Sequence, residues 1–308
     1  MAFARPEHHH GHMRIVIAGS SGLVGSQLVP QLTAHGHDVV KLVRRAAASP
    51  HEVTWDPTRP WDATGLGEID AAINLGGVGV GDHRWSTSYK QKIRDSRVVT
   101  TNVMATALAA LPTPPAVLLN ASAIGWYGDT GETAVDETSP RGDGFLAKVC
   151  EEWEAATAPA EDAGIRVVHL RTGLVVSTAG GAWKKLVPLF KLGLGGRIGS
   201  GKQYWSTISL DDEVGAIEFC LMQESMTGAV NLTDPTPKTN AEITSIMGRV
   251  LGRPTPFAVP APALRAALGE FAGETLGSQR VLPTRLLAAG YTFQHPTFES
   301  AFTAALAH

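Results

Sequence analysis

Cysteine is nearly absent: the 308 residues hold two, Cys150 and Cys220. Both fall in apolar, helix-like stretches without metal-ligand spacing. That excludes a disulfide framework, gives no reason to expect a metal site, and points to a reducing compartment. No apolar run approaches the roughly 18 residues of a transmembrane helix. The N-terminus, Met1 to Met13, has no apolar segment of the secretory kind. A cytoplasmic protein without a membrane span is expected. A basic excess is lacking too: Lys plus Arg is 26 against 29 for Asp plus Glu, net charge -3. That balance speaks against a nucleic-acid binder. Intrinsic disorder is excluded by 44% hydrophobic and 18% charged residues. No fixed-period repeat is visible. The histidines at positions 8, 9, 10 and 12 read as part of a disordered leader or tag remnant over 1–12 rather than a metal site. The fold is expected to start at Met13.

What is present is alternation. Residues 14–18 form a continuous apolar run ending at a glycine, as expected of a strand buried on both faces. A helix reads over 23–34, strands over 38–43, 53–55 and 71–75, and a long amphipathic helix over 85–111. Tyr89, Ile93, Val99 and Val103 mark the apolar side of that helix. A strand at 116–120, a helix at 145–163 and a strand at 166–171 follow. Strand and helix in repetition predict an α/β fold, a parallel sheet covered by helices on both faces. The second half differs. Residues 193–201 are a glycine-dense loop, Asp211 or Asp212 is placed to cap a helix running through Cys220, and 229–232 reads as a short strand. Thr239 and Glu242 match a capping box before a helix at 243–251. The Pro- and Ala-rich remainder predicts two or three more helices. We expect a nucleotide-binding unit over 13–180, with later segments contributing to its sheet, and a smaller lobe mainly from 181–308.

Gly19-Ser20-Ser21-Gly22-Leu23-Val24-Gly25 follows a predicted strand and opens a helix, the context that makes a glycine motif specific. Gly19 permits the tight turn, Gly22 lets the backbone approach a pyrophosphate, and Gly25 lets the helix pack on the strand. The helix N-terminus offers free N–H groups and partial positive charge to phosphates, and Ser20 and Ser21 add hydroxyls. The second strand ends Lys41-Leu-Val-Arg44-Arg45 without an acid. A carboxylate there would bind the ribose 2′-hydroxyl of NAD. A guanidinium instead suits the 2′-phosphate of NADP(H), with two parallel hydrogen bonds. Arg44 is the first choice and Arg45 or Lys41 the second. Asn74-Leu75-Gly76-Gly77 offers small residues where ribose and pyrophosphate would pass.

These motifs do not stand alone. They are joined by Arg84-Trp85, Ser96-Arg97 with Thr100, Ser122 to Gly128, Trp153-Glu154, Arg171-Thr-Gly173, Asn231-Leu232 and Gly252-Arg-Pro254. The tail carries Leu276 to Pro283 and Ala289 to Phe293. Together they resemble the extended short-chain dehydrogenase/reductase superfamily. More narrowly, the chain resembles its atypical NAD-dependent-epimerase-like branch (39U-like), which carries a C-terminal domain of unknown function. The resemblance implies a Rossmann doubly wound sheet, a smaller α+β C-terminal lobe forming the substrate cleft, and bound NADP(H). By position it assigns cofactor contacts to Gly19 through Gly25, Arg44, Leu75, Gly76, Arg97 and the backbone near Val175.

The chemistry expected of that superfamily is incomplete. Its members use a Tyr as general acid/base, lowered in pKa by a Lys four residues later, and a Ser or Thr that orients the carbonyl. A phenol of pKa about 10 needs such a cation to act near neutral pH. Here Lys148 is preceded at that distance by Gly144. Alignment on Tyr127-Gly128 puts Ala123, not Ser122, at the serine position. Candidate catalytic residues are therefore Ser122, Tyr127 and Lys148, with Asp129 a further acid nearby. Thr207 and Ser209 stand where relatives carry Trp and His. Residues 193–201 with Lys202, Gln203 and Tyr204 read equally as a substrate loop or a plain connector. Two functions remain open: an NADP(H)-dependent oxidoreductase or epimerase-like enzyme acting on a small carbonyl or sugar-like compound, and a non-catalytic NADP(H)-binding sensor or scaffold. Partners expected are a small-molecule substrate, no nucleic acid and no membrane, in a monomer or small homo-oligomer.

Overall fold

Seven short, largely apolar runs pair in parallel: β1 (Arg14–Ala18), β2 (Asp38–Val43), β3 (Glu52–Thr54), β4 (Ala71–Asn74), β5 (Val117–Ala123), β6 (Arg166–Thr172) and β7 (Gly228–Leu232). The computed structural model describes residues 11–307. The predicted leader at 1–12 lies outside the described residues except for its last two. In the sheet, β3, β2, β1, β4, β5, β6 and β7 lie side by side in that order. Strand order reverses between β1 and β4, and in such open sheets ligands bind at that switch point, beyond the carboxyl ends of the strands. This is the Rossmann sheet that the alternation and the resemblance predicted.

Burial on both faces explains the unbroken apolar runs. Ile15 and Ile17 of β1 enter one core layer with Ile73, Leu119 and Leu170. Their neighbours Val16 and Ala18 enter the opposite layer with Ala72, Leu118 and Val167. The first layer is covered by α1 (Gly25–Ala34) through Leu28 and Leu32, and by the later helix Leu210–Met222 through Ile217 and Leu221. The second is covered by α2 (Thr87–Ala109) through Met104 and Leu108. The helix predicted over 145–163 is two: α3 (Phe145–Ala155) and α4 (Ala158–Asp162). Thr157 marks the break; its hydroxyl returns to the Glu154 carbonyl at 2.7 Å.

A third core lies in the C-terminal lobe, around Trp183, Trp205, Ile243, Phe298 and Phe302. It draws on α5 (Gly181–Lys191), α7 (Asn240–Leu251), α8 (Ala261–Leu268), α9 (Ala272–Leu276) and α11 (Phe298–Ala307), while α6 (Leu210–Met222) and α10 (Thr284–Ala288) pack on the first layer of the sheet. The remainder after 251 holds four α-helices, more than the two or three expected. The capping box is present: Thr239 accepts from Glu242 N–H while the Glu242 side chain accepts from the Thr239 backbone. At α6 the expected cap is corrected. Ser209, not Asp211 or Asp212, sits at the N-cap and accepts from Asp212 N–H at 2.9 Å. Asp212 is instead buried and accepts the backbone N–H groups of Gln294 and His295 at 2.7 and 2.9 Å, which ties the tail to α6. Among the described residues no helix is long and apolar enough to cross a membrane, and no group of three or more His, Cys, Asp or Glu could hold a metal ion. Cys150 and Cys220 are buried and unpaired.

Candidate functional site

The glycine turn is built for close approach. Gly19 holds φ at +82°, and a Cβ there would stand 2.7 Å from the Leu75 carbonyl carbon. The turn after β1 and the loop after β4 therefore touch backbone to backbone, at the switch point. A Cβ on Gly25 would lie 2.3 Å from the Gly19 carbonyl oxygen, so only glycine lets α1 start this near the turn. That helix begins at Gly25 rather than at residue 23, with no side-chain cap and no acid in its first turn. The N–H groups of Ser26, Gln27 and Leu28 bond the carbonyls of Gly22 and Val24, so what the helix offers an anion is its dipole and the backbone ahead of Ser26. Ser21 and Gly22 are exposed and Ser20 half-buried at this mouth, while Leu23 and Val24 are half-buried beside them. A Cβ on Gly180 would meet the Leu23 side chain at 3.2 Å, so the entry to α5 lies over the turn.

Below the loop after β4 lies a buried polar platform. Asn74 donates to Thr101 Oγ1 at 2.9 Å and to Asn120 Oδ1 at 2.8 Å, and its Oδ1 accepts from Gly76 N–H at 3.2 Å. Trp153 Nε1 donates to the same Thr101 hydroxyl at 2.9 Å. Arg97 packs its guanidinium beside Gly77 and donates to the carbonyls of Ile93 and Val78, each at 3.0 Å. Its group lies 5.1 Å from the Trp153 ring centroid. No carboxylate pairs with it among the described residues, and burial lowers its pKa. Val175 lies in a short parallel pair with Ile208, past the end of β6.

At the end of β2 the three candidate cations separate. Arg45 makes a two-pronged pair with Glu52, both contacts 2.8 Å, and Lys41 reaches the same carboxylate at 3.2 Å. These contacts, Arg45 foremost, hold the Glu52 carboxyl down at about 2. Arg44 is exposed and makes no hydrogen bond or ion pair among the described residues. The first choice from sequence is the cation left available, and the other two are committed to Glu52.

The predicted catalytic residues divide. Ser122 and Tyr127 are brought together, but inside a closed network. Ser122 Oγ donates to Glu154 Oε1 at 2.7 Å. Arg171 grips both oxygens of Glu154 at 2.8 and 2.9 Å. It also donates to the Tyr127 hydroxyl at 3.1 Å, and that hydroxyl donates to Asn231 Oδ1 at 2.7 Å. The Arg171 guanidinium lies 3.8 Å from the Trp126 ring centroid, a cation–π contact. Tyr127 is 3% exposed, and burial pushes its phenol up to about 12. Lys148 lies on the exposed side of α3, apart from this network. Burial outweighs the lowering effect of Arg171, so this cation does not bring the phenol down as the Lys of the superfamily pattern would. Sequence reasoning passed over Glu154, Arg171 and Asn231 as functional groups, although each stands in a motif that carried the resemblance. The available signal was clearest for Asn231, a lone amide in an otherwise apolar strand; Glu154 shares its helix with Lys148, Glu151 and Glu152.

Beside β6, Glu213 of α6 accepts from Thr172 Oγ1 at 2.7 Å, while its second oxygen is buried without a partner. Burial raises its carboxyl to about 8. Thr207 and Ser209, at the Trp and His positions of relatives, serve structure: Thr207 bonds Asp234 and Ser209 caps α6. Gln203 is buried and donates to the Ile198 carbonyl at 3.0 Å, so this part of the candidate substrate loop is a brace.

A Rossmann sheet with a glycine cradle at its switch point, an uncapped helix and a separate lobe defines a dinucleotide-binding protein of the epimerase type. The family model for the NAD dependent epimerase/dehydratase family matches residues 15–231, and a domain of unknown function, DUF1731, matches 259–305. The chain belongs to that family. It is 49% identical to epimerase family protein Mb2239 of Mycobacterium bovis, over 93% of this chain and 95% of that one. The human epimerase family protein SDR39U1, solved with NADPH, superposes with a TM-score of 0.89 at 33% identity, covering 96% of this chain and 100% of that one. UDP-glucose 4-epimerase of Thermus thermophilus, solved with NAD, shares the fold at a TM-score of 0.74 and 18% identity, covering 96% of this chain and 98% of that one.

Proposed function

We propose that the protein is an NADP(H)-dependent oxidoreductase or epimerase-like enzyme acting on a small carbonyl or sugar-like compound. The observation that carries the cofactor is the separation at the end of β2: Arg44 is open while Arg45 and Lys41 are tied to Glu52. The glycine cradle fits a dinucleotide, since a Cβ at Gly19 or Gly25 would close it. The turn Gly19 to Gly25 would hold the pyrophosphate, Arg44 the 2′-phosphate, and Leu75, Gly76 and the backbone near Val175 the rest, with Arg97 bracing the loop after β4. When bound, the cofactor supplies or accepts hydride. The chain's own part is to orient it. Tyr127 keeps its proton near neutral pH and has both hydrogen-bonding directions filled, so we assign Ser122 and Tyr127 to bracing the strand ends through Glu154 and Arg171. The proton that the carbonyl oxygen takes up as hydride reaches its carbon would then come from water, and in the reverse direction would return to it. Lys148 remains available to a ribose hydroxyl only if α3 presents it on binding.

The same locked phenol favours a second reading, a non-catalytic NADP(H) sensor or scaffold. Parallel calorimetric titration with NADPH and NADH tests the cofactor; equal affinities would overturn the assignment of Arg44. NADPH consumption across a carbonyl and sugar panel separates enzyme from sensor.

A further inference from the structure

Two stretches of the chain hold no buried residue, and they touch. One is the loop after β4, Leu75 to Ser88; the other runs from Gly252 to Phe271 and carries the strand Phe257–Val259 and α8. The first begins at the cradle, where Leu75 and Gly76 lie against Gly19. The second spans the part of the lobe between the end of α7 and the fully buried Ala272. Within it, only the half-buried Leu264 packs against the core of the lobe. Its strand is held by pairing with Gly196–Ile198.

Side chains join the two stretches. Arg84 Nη1 donates to the Ala266 carbonyl at 3.0 Å, and Lys90, in the first turn of α2, pairs with Glu270 at 2.7 Å. A Cβ on Gly81 would meet the Phe271 ring at 3.0 Å, and the Trp85 ring centroid lies 5.5 Å from that of Phe271. From a second part of the lobe, Lys185 of α5 donates to the Gly81 carbonyl at 3.2 Å. Acids and bases are mixed here, Glu270 and Asp82 with Arg84, Lys90 and Lys185, so the contact is a latch between segments rather than a site for an ion. It is a weak latch. The Lys90 and Glu270 side chains are 30% and 54% exposed, and an exposed ion pair contributes little. A segment without buried residues opens far more readily than a packed core.

We propose that Gly252 to Phe271 is a lid, latched to the loop after β4, that opens to admit and release the dinucleotide and the substrate. None of the latch residues is assigned to the dinucleotide. Breaking the latch therefore quickens entry and exit alike and leaves the affinity nearly unchanged. The inference rests on the cleft being the cofactor site proposed above.

The test is stopped-flow NADPH binding and release in the wild type, in Arg84→Gln/Glu270→Gln and in Phe271→Ala. Trypsin cleavage after the exposed Arg265 reads the opening of the lid in the same proteins. Arg249→Gln, which breaks the exposed Arg249–Glu299 pair elsewhere in the lobe, is the control. Each latch variant is expected to raise association and dissociation rates at least about fivefold, with affinity held within about twofold and cleavage at Arg265 quickened. Unchanged rates in either latch variant overturn the proposal, even where cleavage quickens. So does a change confined to the dissociation rate, which would make the segment a cofactor contact, or an equal change in Arg249→Gln. If the protein binds neither NADPH nor NADH, the cofactor reading fails by itself. The lid then stands or falls on cleavage at Arg265, and cleavage no faster in the latch variants than in the wild type overturns it.

Discussion

At the scale of single residues, the site shows how packing reassigns chemistry. Arg44 and Arg45 are identical in type and adjacent, yet only Arg45 lies within reach of Glu52. Arg44→Asp should therefore weaken NADPH by about 2 kcal/mol more than NADH in paired titrations, the loss of one charge-assisted contact. Tyr127→Phe leaves Asn231 Oδ1 without the 2.7 Å donor it now has, in a buried site. Denaturant unfolding should show a loss of about 1–3 kcal/mol, with NADPH affinity retained. Glu213 links stability to pH. Its carboxyl rises from 4.5 to about 8 on folding, so the native state holds a proton that the unfolded chain releases. The resulting stability is full below pH 4.5 and is lost as pH climbs towards 8. Glu213→Gln should flatten the fall in unfolding free energy between those limits, measured by urea denaturation at several pH values.

At the scale of elements, helix starts and charged braces matter most. A Cβ at Gly25 would collide with the Gly19 carbonyl at 2.3 Å, so α1 would have to move off the turn. Gly25→Ala should lower both stability and dinucleotide affinity, whereas Ser26→Ala, on the exposed side of the same helix, should change neither beyond about 0.5 kcal/mol. The Arg171–Glu154 pair joins β6 to α3 with side chains 4% and 10% exposed. Removing one partner strands a buried charge, and Glu154→Ala should cost about 3–5 kcal/mol by denaturant unfolding. These elements were legible from sequence to different degrees. The unbroken apolar run of β1 names a two-faced strand by itself. The break at Thr157 was legible in Pro159, which has no N–H to continue α3 and stands in the first turn of α4 instead.

At the scale of the whole molecule, the tail belongs to both cores. Phe298 and Phe302 are fully buried in the lobe, while Leu286, with Tyr291 and Phe293 beside it, packs on the core of the sheet. The short strand Arg280–Val281 pairs with Ala134–Val135, and the Leu282 carbonyl accepts from Asn231 Nδ2 at 2.9 Å, next to the Tyr127 network. Phe302→Ala should cost about 3–5 kcal/mol, and calorimetry should show sheet and lobe melting together rather than in two steps.

The amino-acid sequence by itself determined the alternating fold, the glycine turn, the capping box at Thr239 and the basic end of β2. Each is a local pattern whose physics acts over a few residues. Only the tertiary structure decided which arginine stays open, because Glu52 arrives from a neighbouring strand. It alone set Ser122 and Tyr127 into one buried network with Glu154, Arg171 and Asn231, residues separated by up to about a hundred positions in the chain. Burial and partners set the proton affinity of a side chain, and both come from segments that meet only in the folded molecule.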